Sequence, residues 1–101
     1  MTSPTVTDRT PPTVPQNLRL SSESSIPEIW LDWDQSTDDA DPQSLIMYEV
    51  FLNGVLDRLG TTIGYGDTVT YCQGAGPNTI TVRAVDTSGN ASAFSNAITF
   101  C

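Results

Sequence analysis

Ile29-Trp30-Leu31-Asp32-Trp33 is the stretch that decides the fold of this 101-residue chain. Successive side chains of a β-strand point to opposite faces, so Trp33 and the other odd-numbered residues share an apolar face, and Trp30 points away from it. A buried Trp removes about 200 Å² from water, which at about 25 cal/mol per Å² is worth several kcal/mol. We therefore expect a strand from about Glu28 to Asp34, with Trp33 at the packing centre of the core.

Short alternating clusters recur on both sides of this strand. We expect six further strands, over 17–22, 46–52, 55–60, 67–73, 79–86 and 93–101. Asn53-Gly54 accepts positive φ at both positions and predicts a type I′ hairpin. The inward residues expected in the outer strands include Leu18 and Leu20 in the first, and Phe94, Ile98 and Phe100 in the last. With no helical periodicity, the pattern predicts an all-β fold: a seven-stranded antiparallel two-sheet sandwich of the immunoglobulin-like kind.

The length suits one domain, preceded by a spacer. Residues 1–15 carry Thr, Ser, Asp and four Pro with few large apolar side chains, a composition typical of a semi-rigid linker. Residues 16–101 then form the domain. We interpret Met1 as an expression start on a segment of something longer, since no apolar signal core follows it.

Charge and hydropathy limit the partners. Four Lys and Arg residues against twelve Asp and Glu give a net charge of −8, which repels phosphate backbones and anionic lipid surfaces. No apolar run approaches the roughly 20 residues of a membrane helix. We therefore expect no nucleic-acid partner, no membrane association, and a monomer in isolation.

Three motifs, in order, resemble the fibronectin type III family over about residues 12 to 100. They are the Trp33 strand, Tyr48-Glu49-Val50-Phe51-Leu52-Asn53-Gly54, and Val82-Arg83-Ala84-Val85-Asp86-Thr87-Ser88-Gly89-Asn90. With the Pro-rich lead Thr10 to Pro15, the chain is similar to modules found between catalytic and binding domains of secreted bacterial polysaccharide-degrading enzymes. The resemblance implies the sandwich topology, a secreted location and no cofactor.

One position departs from the family pattern. Asn78 stands where the family usually has a Tyr whose hydroxyl ties a loop to the backbone. Cys72 and Cys101 end expected strands at the same pole of the sandwich, so a disulfide between them would replace that tie. Two Cys in a chain without His also do not supply the usual zinc site, which favours a disulfide and an oxidising compartment.

Carboxylates cluster in the loop after the Trp33 strand. The chain has no His or Lys, so only carboxylates, Tyr and thiols are available for acid-base chemistry at neutral pH. None of the clustered carboxylates has an evident partner in the sequence that would raise its pKa for catalysis. Asp38, Asp39 and Asp41 are weak calcium candidates, because their spacing is irregular and no bidentate Glu follows. We expect solvated turn residues, no metal and no catalytic site.

Two outward aromatic residues are the candidates for ligand contact. Trp30 and Phe51 both lie on outer faces of the expected sheets, where aromatic rings stack on sugars or pack against neighbouring domains. Cover by long neighbouring side chains such as Arg19 is the competing interpretation.

The function expected from these features is that of a non-catalytic accessory or spacer module, which positions the neighbouring domains of a secreted protein. The alternative is a carbohydrate- or cell-surface-binding module that uses the outward aromatics. An adhesin or phage-surface domain of the same fold is a third option, because a fold does not determine a function.

Overall fold

The structure, a computed structural model, describes residues 10–21, 28–39, 45–57, 62–63, 68–71 and 77–100. Every secondary-structure element longer than one residue in these ranges is a β-strand. The strands are β1 (Gln16–Leu20), β2 (Glu28–Asp34), β3 (Met47–Leu52), β4 (Val55–Leu56), β5 (Thr62–Ile63), β6 (Thr68–Tyr71), β7 (Asn78–Val85) and β8 (Ile98–Phe100).

These strands form two antiparallel sheets. One has the order β1-β2-β6, and the other the order β4-β3-β7-β8 with β5 also paired to β3. The predicted all-β, two-sheet architecture is therefore present. The predicted count of seven strands is not confirmed, since the described residues contain eight strand segments. Two of these, β4 and β5, are short and pair with the same strand, β3.

The core lies between the two sheets and is centred on Trp33. Its residues come from both sheets: Leu18, Ile29, Leu31, Trp33, Ile46, Tyr48, Val50, Ile80, Val82, Ala84 and Phe100. The Trp33 and Tyr48 rings, one from each sheet, pack with centroids 5.4 Å apart. The predicted bounds of β2 and the inward orientation of Trp33 are both confirmed, because Trp33 is 1% exposed whereas Trp30 is only half-buried.

The Tyr48 hydroxyl also fastens the loop that follows β2. It accepts a hydrogen bond of 2.8 Å from the backbone N–H of Ser36, inside the core. The next residue, Thr37, bonds to Thr13 through two contacts of 2.8 Å. Pro12 and Pro15 are buried on either side of Thr13, so residues 12–15 of the predicted linker lie against the domain. The boundary at residue 15 stays a prediction.

The predicted Asn53-Gly54 hairpin is present between β3 and β4. Both residues have positive φ, 54° and 83°, and the flanking pair Leu52 and Val55 are in register. The Asn53 side chain reaches β7, where its carbonyl accepts the Thr79 N–H at 2.9 Å and its amide donates to Asn78 at 3.0 Å. Asn78 is a buried residue of β7, so its bond with Asn53 fastens the turn to that strand.

Two residues predicted to be inward are exposed. Leu20 faces Leu31 in register but is 42% exposed, because it is the last residue of an edge strand. Phe94 is 47% exposed, and the prediction of a strand that starts at residue 93 is wrong, since β8 begins at Ile98. Ile98 is half-buried and Phe100 is buried, as expected.

Two serines explain why no strand forms around Phe94. The Ser92 hydroxyl accepts the Ala84 N–H at 2.9 Å, and the Ser95 hydroxyl accepts the Val82 N–H at 3.0 Å. In return, the backbone N–H groups of both serines donate to the same two residues of β7 at 2.8 Å. Side-chain hydroxyls thus replace the backbone carbonyls of a regular ladder, and the serines recur every third residue rather than every second.

No helix in the described part of the chain has the length and hydropathy of a membrane span.

Candidate functional site

An aromatic and charged cluster lies on the outer face of the five-stranded sheet. We call Glu49, Phe51, Arg83 and Phe94 the outer cluster. The Phe51 and Phe94 rings meet edge to face, with centroids 5.0 Å apart and an angle of 85°. The Arg83 guanidinium carbon lies 5.1 Å from the Phe51 centroid and 5.6 Å from that of Phe94, which is cation–π distance for both rings.

Strand register brings three of these residues together. Glu49 and Phe51 are alternate residues of β3, so both point outward when Tyr48 and Val50 point inward. Glu49 lies directly opposite Arg83 of β7, and the two side chains form an ion pair of 2.8 Å. Phe94 then reaches the same surface from the segment held by the two serines.

The outer cluster carries little uncompensated charge. The side chains of Arg83 and Glu49 are 33% and 21% exposed, so each is partly desolvated and neutralised by the other. The two rings share one guanidinium, which fixes their positions without strand pairing at Phe94. Such a surface offers an aromatic contact rather than a charged one.

An open groove adjoins the outer cluster at Phe94. Its volume is about 780 Å³, and its walls include Val14, Pro15, Asn17, Arg19, Asp34 and Phe94. The sandwich core encloses no part of this space, because the groove lies between the β1 edge and the segment that carries Phe94. It is within the size range of small-molecule binding sites, although its open shape is that of a surface cleft.

A polar network lines one wall of this groove. The Asn17 side-chain amide donates to Asp34 Oδ2 at 2.6 Å. Arg19 Nη1 donates to the Asn17 carbonyl at 2.8 Å and lies 3.4 Å from Asp34 Oδ1. The positive φ of Asn17, 55°, coincides with a shift of pairing register between Gln16 and Arg19. A local irregularity of this kind can re-aim side chains, and both Asn17 and Arg19 contact Asp34 here.

Asn96 joins the two sheets beside the groove. Its side-chain oxygen accepts the Leu18 N–H at 2.9 Å, and its side-chain amide donates to the Leu18 carbonyl at 3.0 Å. The carboxamide thus stands in for one residue of a neighbouring strand and satisfies both backbone groups of Leu18. The edge of β1 is capped at this point.

The two aromatic residues predicted to bind a ligand lie on different sheets. Trp30 belongs to β2 and Phe51 to β3, so each faces outward on the opposite side of the sandwich. Both are half-buried. They cannot form one platform, and the partner of Phe51 is Phe94.

The predicted metal and disulfide residues are only partly visible. Asp38 is half-buried and Asp39 is exposed, whereas Asp41, Cys72 and Cys101 lie outside the described residues. Among the described residues, no group of three or more acidic or Cys side chains is arranged to hold a metal ion. The expectation that this loop holds no metal and the expected Cys72–Cys101 disulfide therefore both stay predictions.

Asp86 has a structural role in the turn after β7. Its carboxylate accepts the N–H groups of Ser88 and Asn90 at 3.0 and 2.8 Å, and the Asn90 side-chain amide at 2.9 Å. Gly89 has a φ of 88° within the same turn. Asp86 and Asn90 therefore hold this turn together.

Sequence reasoning missed Phe94 and Asn96 as surface residues. The signal available was the spacing of Ser92 and Ser95 around Phe94, which is three rather than two and argues against a regular strand. Nothing local indicates the bidentate contact of Asn96, since its partner Leu18 is 78 positions away in the chain.

Comparison with known proteins agrees with this geometry at the level of fold. No family model and no curated protein matches the chain. Among solved structures, it is similar to the fibronectin type III domain of human fibronectin type III domain containing protein 3. The TM-score is 0.54 and the identity 17%, over 96% of this chain and 93% of that one. The chain has a fibronectin type III-like fold.

The chain is also similar to part of the spore cortex lytic enzyme SleM of Clostridium perfringens. The TM-score is 0.66 and the identity 23%, over 89% of this chain. The chain spans 28% of the length of SleM. At these identities, both similarities concern the fold alone.

Proposed function

We propose that this fibronectin type III-like domain is a non-catalytic accessory module of a secreted, multidomain protein, in which it sets the spacing of neighbouring domains. The observation that carries the proposal is the two-sheet fold itself, which has its core filled by side chains and its loop after β2 fastened to both Tyr48 and Thr13. A filled core gives a rigid body of fixed length. The similarity of the fold to part of a lytic enzyme supports the same role.

The chemistry of the described side chains favours a role without catalysis. The chain has no His, and several carboxylates of the structure hold structural partners. Glu49 pairs with Arg83, Asp34 bonds to Asn17, and Asp86 closes a turn. A glycosidase needs two carboxyl groups that face each other across the scissile bond, and these three carboxylates are instead bonded to residues of the fold itself.

A carbohydrate-binding role is the second candidate, favoured by the outer cluster. Phe51 and Phe94 supply an aromatic surface next to an open groove with polar walls. This differs from the sequence-based expectation in using Phe94 instead of Trp30. The two roles are compatible, since a spacer that touches the substrate also orients its neighbours.

Two assays test the accessory role. The isolated chain is incubated with cellulose, xylan, chitin and peptidoglycan, and release of reducing ends above the buffer blank would overturn the non-catalytic assignment. In the full-length protein, the domain is replaced by a flexible Gly/Ser linker of equal contour length. We expect slower turnover of polymeric substrate and unchanged turnover of a soluble one, because only the polymer requires fixed spacing.

A further inference from the structure

We propose that the groove beside Phe94 is a binding site for a neutral oligosaccharide chain, with the Phe94 ring as the stacking surface and the Asn17, Arg19 and Asp34 network as the hydrogen-bonding wall. This inference rests on the second candidate above and assigns its ligand class and its residues. The groove volume of about 780 Å³ has room for more than one sugar ring.

The groove offers the two kinds of contact that a sugar ring requires. A pyranose has flat faces of C–H groups and a rim of hydroxyl groups. Phe94 provides an exposed apolar ring, and Arg19 and Asp34 provide donors and acceptors. The side chains of Arg19 and Asp34 are 53% and 52% exposed, so part of their hydrogen-bonding capacity faces solvent.

The polar wall is ordered before any ligand arrives. Asp34 accepts from Asn17 at 2.6 Å, and Arg19 is held by both the Asn17 carbonyl and Asp34. Side chains that are already fixed lose less entropy when they bind hydroxyl groups, so the network lowers the cost of recognition. Asn17, which contacts Asp34, lies within the register shift between Gln16 and Arg19.

Phe94 is ordered in the same sense. Ser92 and Ser95 fix the backbone on both sides of it, and Phe51 and Arg83 contact its ring. Even so, 47% of the residue is exposed. A ring that is fixed in position but exposed is what a stacking contact with a sugar needs.

The structure disfavours an extended peptide as the occupant. A peptide would have to add to the free edge of β1, which borders the groove. Asn96 already satisfies both the N–H and the carbonyl of Leu18, and the register shift at Asn17 interrupts the edge on the N-terminal side. The ligand must therefore bind through side chains.

The charges favour a neutral ligand. Arg19 and Asp34 compensate each other within the groove. The surrounding chain carries a net charge of −8, which repels polyanions such as uronic acid polymers. Neutral, hydroxyl-rich chains are not subject to this electrostatic repulsion.

The test is titration of the ¹⁵N-labelled chain with four neutral hexasaccharides, from cellulose, xylan, chitin and amylose, and with an oligogalacturonate. Backbone amide shifts are followed up to about 10 mM sugar, which detects millimolar dissociation constants. We expect at least one neutral sugar to shift amides of residues 16–19 and 93–96. Phe94→Ala then raises its dissociation constant about tenfold, the loss expected for one stacked ring. Asp34→Asn weakens binding as well.

Val55→Ala is the matched control, because Val55 of β4 is an exposed apolar residue, 69% accessible, and is not among the residues that line the groove. It should leave binding unchanged. Absence of shifts with all four neutral sugars, shifts centred on Trp30, or tighter binding of the oligogalacturonate would each overturn the inference. None of these results bears on the linker replacement above, so the spacer role is tested separately.

Discussion

The contact between Asn96 and Leu18 gives a sharp test of how the sandwich is closed. Asn96→Ala removes two hydrogen bonds, of 2.9 and 3.0 Å, to a residue that is 3% exposed. Each bond contributes about 1 kcal/mol net, and the backbone groups left behind are poorly placed for water. We expect the free energy of unfolding to fall by about 2 to 3 kcal/mol, and the melting temperature of a chain this size by about 10 to 15 °C.

Asn96→Asp separates the two bonds. The carboxylate still accepts the Leu18 N–H but has no proton for the Leu18 carbonyl, which it then repels. We expect a loss of about 2 kcal/mol or more despite the small change in shape. Urea denaturation followed by Trp fluorescence measures both variants. Gln35→Ala, on an exposed loop residue, is the control and should stay within about 0.5 kcal/mol of the parent.

A loss below about 0.5 kcal/mol for Asn96→Ala would refute the reasoning, because it would mean that the carboxamide contributes nothing as a substitute for a strand partner.

The remaining predictions concern the core, the cysteines and the acidic loop. Trp33→Ala should lower the free energy of unfolding by about 3 to 5 kcal/mol and Trp30→Ala by far less, since the two side chains lie on opposite faces of β2. Equal losses in denaturation experiments would contradict these orientations. Mass analysis without reductant should show Cys72 bonded to Cys101, and two free thiols in the folded protein would exclude the disulfide. Millimolar calcium should leave the melting temperature nearly unchanged; a rise of several degrees that is abolished by Asp39→Asn would reveal a site.

The sequence predicted the parts of the fold that depend on alternation and on turn chemistry. The bounds of β2, the orientation of its side chains and the Asn53-Gly54 hairpin follow from a period of two and from positive φ. These rules operate within one or two neighbouring strands. The residues involved are close in the chain or directly paired, so their pattern can be recognised in the sequence.

The candidate site was less predictable because it depends on distant side chains. Phe94 looks like an inward strand residue until Ser92 and Ser95 are seen to bond to β7 in place of a backbone ladder. Likewise, Asn96 and Leu18 meet only through the packing of the two sheets. Phe51 was predicted as an outward aromatic, but its partner ring and the shared Arg83 required the register of β3 and β7.

The most direct test of the spacer role is a domain exchange in the full-length protein. The domain is replaced by an unrelated fibronectin type III domain of the same length, which keeps the spacing but changes the surface. Turnover of polymeric substrate by this protein is then compared with turnover by the parent protein and by the Gly/Ser replacement. The proposed role predicts that the unrelated domain restores most of the activity that the flexible linker loses. Equal activity of all three proteins on the polymer would contradict it.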